Sequence, residues 1–248
     1  MAIDMEQYEE ISLDEAKKVM FNMLIEFDKI CKKNNLTYWL TGGTMLGAIR
    51  HKGFIPWDDD IDLSMPRDDY ERLRMIELPS NWFLQNKKTD SNFKQYWTKI
   101  RLDDSLYIEN QELGRDIKYH QGIFLDTKIF FLYPKIQHLV GGVLSNRRFY
   151  SKFLQRDLKL DAIRLLNLFH SKNNDVLIES LDTLDNNLKD VKKNDVFPLT
   201  QREFAGGYFP TPNNSHNFLT RFYGSTYMEL PPEKERAIHN YKIYLKRQ

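Results

Sequence analysis

The sequence has one cysteine and no long apolar run, and these two absences narrow the class of protein before any motif is considered. Of the 248 residues only Cys31 is a cysteine, so no disulfide can form within the chain, which fits a reducing compartment. No apolar stretch approaches the roughly 20 residues that cross a bilayer. The acidic start, Met1 to Glu10, has no signal-peptide core. We therefore expect a cytoplasmic protein.

An excess of charge of one sign is also missing. Lysine and arginine number 36 against 35 for aspartate and glutamate, giving a formal net charge of +1. This balance, without a basic tail, argues against nucleic acid as a partner. The length allows one large domain or two small ones with a substantial core.

Four carboxylates crowd into five consecutive positions, with apolar residues before, between and after them. They are Asp58, Asp59, Asp60 and Asp62. So many negative charges repel one another unless a cation lies among them, which points to a divalent metal. On a strand, Asp60 and Asp62 would share one face about 7 Å apart, close enough to bind one hard cation. Asp58 and Asp59 are less defined, since either could face solvent or cap a turn.

A glycine pair lies upstream of these carboxylates. The residues from Tyr38 to Thr41 predict a strand and those from Thr44 to Ile49 a short helix, with Gly42 and Gly43 between them. Glycines at such a junction let backbone N–H groups approach a phosphate. A glycine pair alone is more often an ordinary turn. Followed by a strand carrying Asp-x-Asp, it indicates metal-assisted phosphoryl or nucleotidyl chemistry.

Periodicity and turn residues predict the remaining elements. A capping box at Ser12 and Glu15 predicts a helix to about Asn34. Further predictions are a helix at Arg67–Ile76, strands at Gln95–Leu102, Leu106–Asn110 and Ile123–Phe131, and a hairpin at Phe204–Pro210. Val140 to about Leu188 consists mainly of helix-forming residues. Its basic positions from Arg147 to Arg164 form either the solvent-exposed face of a packed helix or a surface that binds an anionic membrane.

The segment from Gly42 to Asp62 resembles the signature of the LicD family, phosphocholine transferases related to the fukutin-type ribitol-phosphate transferases. The likeness continues in shorter motifs and covers most of the chain. These are Pro66–Tyr70, Thr98–Arg101, Gly122–Asp126, Phe197–Leu199, Phe222–Gly224 and Leu230–Pro232. The long central motif is highly specific, whereas the others would be weak alone.

The resemblance implies an α+β fold: a nucleotidyltransferase-like mixed β-sheet flanked by helices, with a helical insertion. On this basis we divide the chain into a catalytic core at 1–135, a helical segment at 136–195 and a C-terminal segment at 196–248 that packs back on the core. The glycine turn and the Asp-x-Asp strand are expected to meet in a cleft.

Residue roles follow by matching motifs. Asp60 and Asp62 become ligands of Mg²⁺, with Mn²⁺ as an alternative ion, and Asp126 the third catalytic carboxylate and metal ligand. Asp126 is also a candidate general base for the acceptor hydroxyl. The expected substrate-binding residues, which would contact phosphate groups of the donor, are Gly42, Gly43, Thr44, Arg50, Lys52, Lys99 and Arg101.

The resemblance also implies the reaction. The donor would be CDP-choline, releasing CMP, and the acceptor a sugar hydroxyl of a teichoic acid or lipopolysaccharide-type glycan or of its lipid-linked precursor. Such an acceptor would bring the protein to the inner face of the membrane as a peripheral partner. Two alternatives stay open: another CDP-alcohol such as CDP-ribitol as donor, or a non-catalytic module that binds metal or nucleotide.

Overall fold

The computed structural model describes residues 5–93, 95, 97–133, 150–151, 156–157, 176–179, 190–236 and 240–247. Most of the stretch from Val140 to Leu188 lies outside these ranges. The membrane-surface prediction rests on side chains between Arg147 and Arg164 that also fall outside the description, so that prediction stays open.

Five helices occur in the described part of the chain. The first, α1, spans Leu13–Lys33 and begins at Ser12, whose hydroxyl accepts a hydrogen bond from the Glu15 amide while the Glu15 carboxylate accepts one from the Ser12 amide. The predicted capping box is therefore confirmed. The other four are α2 (Gly42–Arg50), α3 (Arg67–Leu73), α4 (Lys193–Val196) and α5 (Ser215–Tyr223). Within the described ranges, none of the helices has the length and apolar character needed to span a membrane.

A mixed sheet of seven strands forms the centre of the fold. Numbered along the chain, its strands are β2 (Trp39–Leu40), β3 (Asp62–Pro66), β4 (Trp82–Gln85), β5 (Thr98–Leu102), β7 (Phe124–Tyr133), β10 (Val176–Glu179) and β11 (Asp190–Lys192). The long strand β7 runs parallel to β3 on one side. On its other side it pairs antiparallel with β5 along its first half and with β10 along its second. β7 therefore links the two motifs that carry aspartates.

The remaining strands of the described residues form three smaller sheets. A separate antiparallel sheet has the order β1 (Tyr8–Ile11), β14 (Asn240–Lys246) and β6 (Ser105–Glu109). Strands β12 (Thr200–Phe204) and β13 (Gly207–Thr211) form the predicted hairpin, with the turn residues Ala205 and Gly206 at φ values of 51° and 88°. Two positive φ values at a two-residue hairpin turn match the twist of the strands. The short strands β8 (Tyr150–Ser151) and β9 (Arg156–Asp157) also pair.

Aromatic side chains join the sheet to the C-terminal part of the chain. Trp39 on β2 is fully buried, with its ring 5.2 Å from that of Phe130 on β7 and 5.7 Å from that of Phe197. Burying each such side chain contributes on the order of 1.5–3 kcal/mol. Cys31 on α1 is buried and unpaired, as expected for a small core residue. The expectation of an α+β fold, with helices packed on a mixed sheet, is confirmed.

The helical prediction for 136–195 is wrong at the short strands β8 and β9, at β11 and at Val176–Glu179, which forms strand β10. Its β-branched residues Val176 and Ile178 favour strands. In addition, β5 covers only Phe124–Thr127 of β7, and β10 pairs with Phe130–Tyr133 beyond it. Pairing with an exposed strand edge overrides local helix propensity. The three-part division of the chain stays a prediction.

Candidate active site

Asp62, Asp126 and Lys99 form a row across three neighbouring strands. Asp62 is opposite Asp126 in the parallel β3–β7 pair, and Lys99 is opposite Asp126 in the antiparallel β5–β7 pair. Residues directly opposite on paired strands project from the same face of a sheet. All three are buried. The sheet therefore places two carboxylates and an ammonium side by side.

Asp60 reaches this row from the loop before β3. We expected Asp60 and Asp62 on one strand, but β3 begins only at Asp62. The loop is held at the sheet because the Asp126 amide donates to the Ile61 carbonyl at 2.8 Å. As a result, one carboxylate oxygen from each of Asp60, Asp62 and Asp126 lies within 4.8 Å of the others. The predicted three-carboxylate set therefore comes together by a route other than strand alternation.

The donor set fits a hard divalent cation. Mg²⁺ prefers oxygen ligands and is commonly held by a small number of carboxylates with water and substrate phosphates. Asp126 Oδ1 is buried beside the Lys99 ammonium, at 3.0 Å, and a carboxylate has enough lone pairs to face both a lysine and a metal. Asp58 and Asp59 form a second close group with Asp60. Asp60, Asp62 and Asp126 are the residues that would hold the ion.

Burial and mutual repulsion shift the pKa values of two of the carboxylates. Burial, followed by the charges of Asp62, Asp58 and Asp126, raises the pKa of Asp60 well above its usual value. Burial also raises the pKa of Asp126, although the neighbouring Lys99 opposes that shift. A raised carboxyl pKa means that the anionic form is unfavourable in the protein alone. A bound cation would remove that penalty.

Two lysines neutralise part of this charge. Lys99 Nζ lies 3.0 Å from Asp126 Oδ1, and Lys128 Nζ lies 3.1 Å from Asp62 Oδ1. Lys99 was expected at the site, whereas Lys128 was missed. Lys128 follows Asp126 by two positions on β7, so strand alternation could have placed it on the same face. Both ammonium groups are in position to meet an anionic substrate.

The glycine pair brings the start of α2 against the carboxylates. Gly42 and Gly43 are the first residues of α2, rather than a loop before it. Gly42 has a φ of +53°, and a Cβ there would lie 2.0 Å from Asp62 Oδ2, while a Cβ on Gly43 would lie 2.4 Å from Asp58 Oδ2. The helix can approach this closely only because neither residue has a side chain.

The first turn of α2 already has partners in the protein. The Gly43 amide donates to Asp62 Oδ2 at 3.2 Å, and the buried Thr44 hydroxyl accepts from the Asp62 amide at 2.8 Å. The partial positive charge of the helix N-terminus thus stabilises Asp62. The predicted phosphate contact of these residues stays a prediction, and in this structure their bonds orient the carboxylate.

Lys99 and Arg101 lie on one side of β5, as predicted, but differ in their surroundings. The Phe124 ring centre is 3.2 Å from Lys99 Nζ and 4.7 Å from Arg101 Cζ. Arg101 is 2% exposed and donates to Gln85 Oε1 and to the Gly122 carbonyl, both at 2.7 Å. Burial lowers the pKa of Arg101 to about 10. Its contacts indicate a structural role, so Lys99 is the stronger phosphate candidate of the two.

Arg50 and Lys52 both contact the C-terminal part of the chain. Arg50 Nη1 donates to the carbonyls of Tyr227 and Glu229 at 3.0 and 2.9 Å. The Lys52 ammonium is exposed and lies 3.6 Å from the Glu203 carboxylate. Both residues thereby join the end of α2 and the loop after it to the C-terminal segment. Their predicted phosphate contacts stay predictions.

Tyr223, at the end of α5, is within reach of the charge of the carboxylates. The surrounding protein and the negative charge of Asp62 raise the pKa of its hydroxyl. Its ring is partly exposed, with 44% of the residue accessible. The sequence placed Tyr223 within a short motif but gave it no role, because nothing local connects α5 to β3.

Comparison with known proteins agrees with this geometry. The family described as LicD/FKTN/FKRP, nucleotidyltransferase domain, matches residues 35–159, about half of the chain. The chain is 28% identical over 260 residues to the lipopolysaccharide cholinephosphotransferase LicD of Haemophilus influenzae, covering 93% of this chain and 96% of that protein. It is 41% identical over 131 residues to the human ribitol 5-phosphate transferase FKRP, covering 48% of this chain and 26% of that protein.

Proposed function

Since the chain belongs to the LicD family and is a phosphotransferase, we propose that it moves phosphocholine from CDP-choline to a sugar hydroxyl and releases CMP. The acceptor is a cell-surface glycan of the lipopolysaccharide or teichoic acid type, or its lipid-linked precursor. The choice of choline is supported by the cholinephosphotransferase of H. influenzae, which is similar along nearly the whole of both chains. We place the reaction in the cytoplasm, at the inner face of the membrane.

The convergence of Asp60, Asp62 and Asp126 is the observation that carries the proposal. Their oxygens lie within 4.8 Å of one another, and the start of α2 and two lysines surround them. Phosphoryl transfer requires in-line positioning and neutralisation of charge rather than covalent work by the protein. Mg²⁺, or Mn²⁺ in its place, would supply Lewis-acid stabilisation of the donor phosphates at these carboxylates. The surrounding groups match that requirement.

The protein's own residues take the remaining roles. Lys99 and Lys128 offer positive charge to the phosphates, and the α2 N-terminus orients Asp62 through the Gly43 amide. The acceptor oxygen forms a bond to the choline-bearing phosphorus while the bond from that phosphorus to the CMP oxygen breaks. Asp126 takes the proton of the acceptor hydroxyl, the role of a general base.

CDP-ribitol is the second candidate donor. The observation in its favour is the 41% identity to the ribitol 5-phosphate transferase FKRP over 131 residues. That alignment covers 48% of this chain and 26% of that protein. The similarity to the cholinephosphotransferase, which extends along nearly the whole chain, is therefore the stronger indication of which alcohol the donor carries.

A release assay tests the proposal. The protein is incubated with Mg²⁺ and CDP-choline, CDP-ribitol or CDP-glycerol, each with and without candidate glycans, and CMP is measured. We expect CMP from CDP-choline, stimulated by the correct glycan, and none from the Asp60→Asn variant. Turnover of CDP-ribitol alone would transfer the assignment to the second donor. No CMP from any CDP-alcohol would overturn both.

A further inference from the structure

A polar cavity of about 770 Å³ lies beside the β12–β13 hairpin, away from the carboxylates. It is bounded by the end of α2, the start of α5 and the hairpin itself, and we refer to it as the hairpin cavity. Its lining includes Gln201, Glu203, Tyr208, Asn213, His216 and Tyr227. Lys52 and Arg202 also line it, and among the lining residues Lys52 is the one with a predicted phosphate contact.

Two helices run from the hairpin cavity to the carboxylates. Ala48 and Ile49 of α2 line the cavity, whereas Gly42 and Gly43 at its other end lie against Asp62 and Asp58. At a rise of about 1.5 Å per residue, the two ends of this helix are roughly 9 Å apart.

Helix α5 gives the second path. It begins with Ser215 at the cavity and ends with Tyr223, whose hydroxyl is within reach of the charges of Asp62, Asp58 and Asp60, a span of roughly 12 Å by the same rise. A molecule reaching from the hairpin cavity to the carboxylates would therefore be as long as a short oligosaccharide.

Hydrogen bonds connect the walls of the cavity to the end of α2 and to the loop that follows it. The Ala205 amide in the hairpin turn donates to the Lys52 carbonyl at 2.8 Å. Arg50 holds the carbonyls of Tyr227 and Glu229. Arg50, the last residue of α2, and Lys52, in the loop after it, lie between the glycine pair and Asp58 in the sequence. A ligand in the cavity is thus held in a fixed relation to the catalytic motif, as an acceptor has to be.

The lining chemistry suits a hydroxyl-rich ligand. Tyr208 is 66% exposed and presents an aromatic ring, whose electron-rich face can pack against the C–H groups of a sugar. The side-chain amides of Gln201 and Asn213 offer both donors and acceptors for hydroxyl groups. Glu203 is paired with Lys52 at 3.6 Å, and His216 Nδ1 lies 3.1 Å from the Tyr227 hydroxyl. Arg202 and Lys52 also line the cavity, and their N–H groups, like the Glu203 carboxylate, can form hydrogen bonds with sugar hydroxyls.

We propose that the hairpin cavity binds the non-reacting sugar units of the acceptor glycan, with Tyr208 as the stacking platform. This rests on the proposed function, since it assigns the acceptor side of the same reaction. The glycan extends along α2 and α5, so that its reactive hydroxyl reaches the carboxylates while the neighbouring sugars occupy the cavity.

Direct sugar binding tests this proposal without donor or metal. Saturation-transfer NMR is recorded with lactose and the methyl glycosides of glucose, galactose and N-acetylgalactosamine. We expect at least one to bind, and Tyr208→Ala to weaken that binding about tenfold, equivalent to 1.4 kcal/mol. Tyr208→Phe keeps the ring and should bind as the wild type. Tyr8→Ala, which removes a partly exposed tyrosine from the separate three-stranded sheet, is the matched control.

A kinetic measurement separates this inference from the proposed function. With the glycan and donor that support CMP release, Tyr208→Ala should raise the acceptor KM about tenfold and leave the donor KM within twofold of the wild type. Binding of no sugar in the panel, or equal sugar affinity in Tyr208→Ala and the wild type, would overturn the acceptor-cavity assignment even if CMP is released. Absence of CMP release with intact sugar binding would overturn the phosphotransfer reaction instead.

Discussion

Lys99 Nζ lies 3.0 Å from Asp126 Oδ1, across the antiparallel pair of β5 and β7. The same ammonium is 3.2 Å from the centre of the Phe124 ring and 3.8 Å from Glu109 Oε1. Lys99 is 4% exposed, so this positive charge is shielded from water, and it opposes the rise that burial causes in the pKa of Asp126. The pair therefore has consequences for stability as well as for catalysis.

We expect Lys99→Met to reduce the free energy of unfolding by about 3–5 kcal/mol, because it leaves the buried Asp126 charge without its partner. Adding Asp126→Asn should restore much of that stability, since the unpaired charge is then gone, while CMP release stays absent. Urea denaturation of the two single variants and the double variant measures both effects.

The exposed ion pair of Lys118 and Asp116 provides the control. Its nitrogen and oxygen are 3.2 Å apart, but both side chains are largely exposed. Exposed pairs of this kind contribute at most about 1 kcal/mol, so Lys118→Met should change stability little. Equal effects of Lys99→Met and Lys118→Met would contradict the burial argument.

Asp60→Asn should abolish CMP release while the protein keeps or gains thermal stability in EDTA. The substitution removes one charge from a site where burial and three other carboxylates raise the Asp60 pKa. Each kcal/mol of relieved repulsion corresponds to about 2–4 °C in Tm for a chain of this size. Scanning calorimetry and the CMP assay check the two parts. Asp116→Asn, on the surface, should alter neither, and near-normal turnover by Asp60→Asn would remove Asp60 from the metal set.

Gly42→Ala should lower both stability and activity, because its Cβ would overlap the Asp62 carboxylate and its φ of +53° is unfavourable for alanine. Gly114→Ala separates these causes. Gly114 has a φ of +73° with nothing within 4 Å of the added Cβ, so alanine there costs about 1–2 kcal/mol of backbone strain alone. We expect Gly114→Ala to melt earlier yet turn over normally. Wild-type kcat/KM in Gly42→Ala would show that Asp62 can move without loss of function.

Mg²⁺ together with CDP-choline should raise Tm, and EDTA should reverse the rise. A ligand that binds only the native state stabilises it by about 2.7 kcal/mol at a hundredfold excess over Kd, or roughly 5–10 °C for a chain of this size. Thermal-shift measurements compare metal alone, donor alone and both together. If Tm rises equally with the donor in EDTA, the donor binds without the carboxylate site. A shift with CDP-ribitol and none with CDP-choline would favour the second donor.

Local patterns fixed much of this protein. The capping box at Ser12 and Glu15, the apolar stripe of α1 and the hairpin turn involve residues close in sequence, so their chemistry alone predicted the elements that form. The crowding of carboxylates between Asp58 and Asp62 likewise indicated a cation site without any tertiary information. Asp126 came from the family resemblance, since a single aspartate on a strand has no local signature.

Only the tertiary structure decided which charged residues meet. The parallel pairing of β3 with β7 brings Asp126 and Lys128 to Asp62, and no local rule specifies which distant strands become neighbours. The same long-range packing engages Arg101 with Gln85 and brings Tyr223 to the carboxylates. It also makes a strand of Val176–Glu179, because the open edge of β7 offers hydrogen bonds that a helix cannot use. Sequence specified the reactive groups, and long-range pairing, through burial and hydrogen bonding, specified their partners.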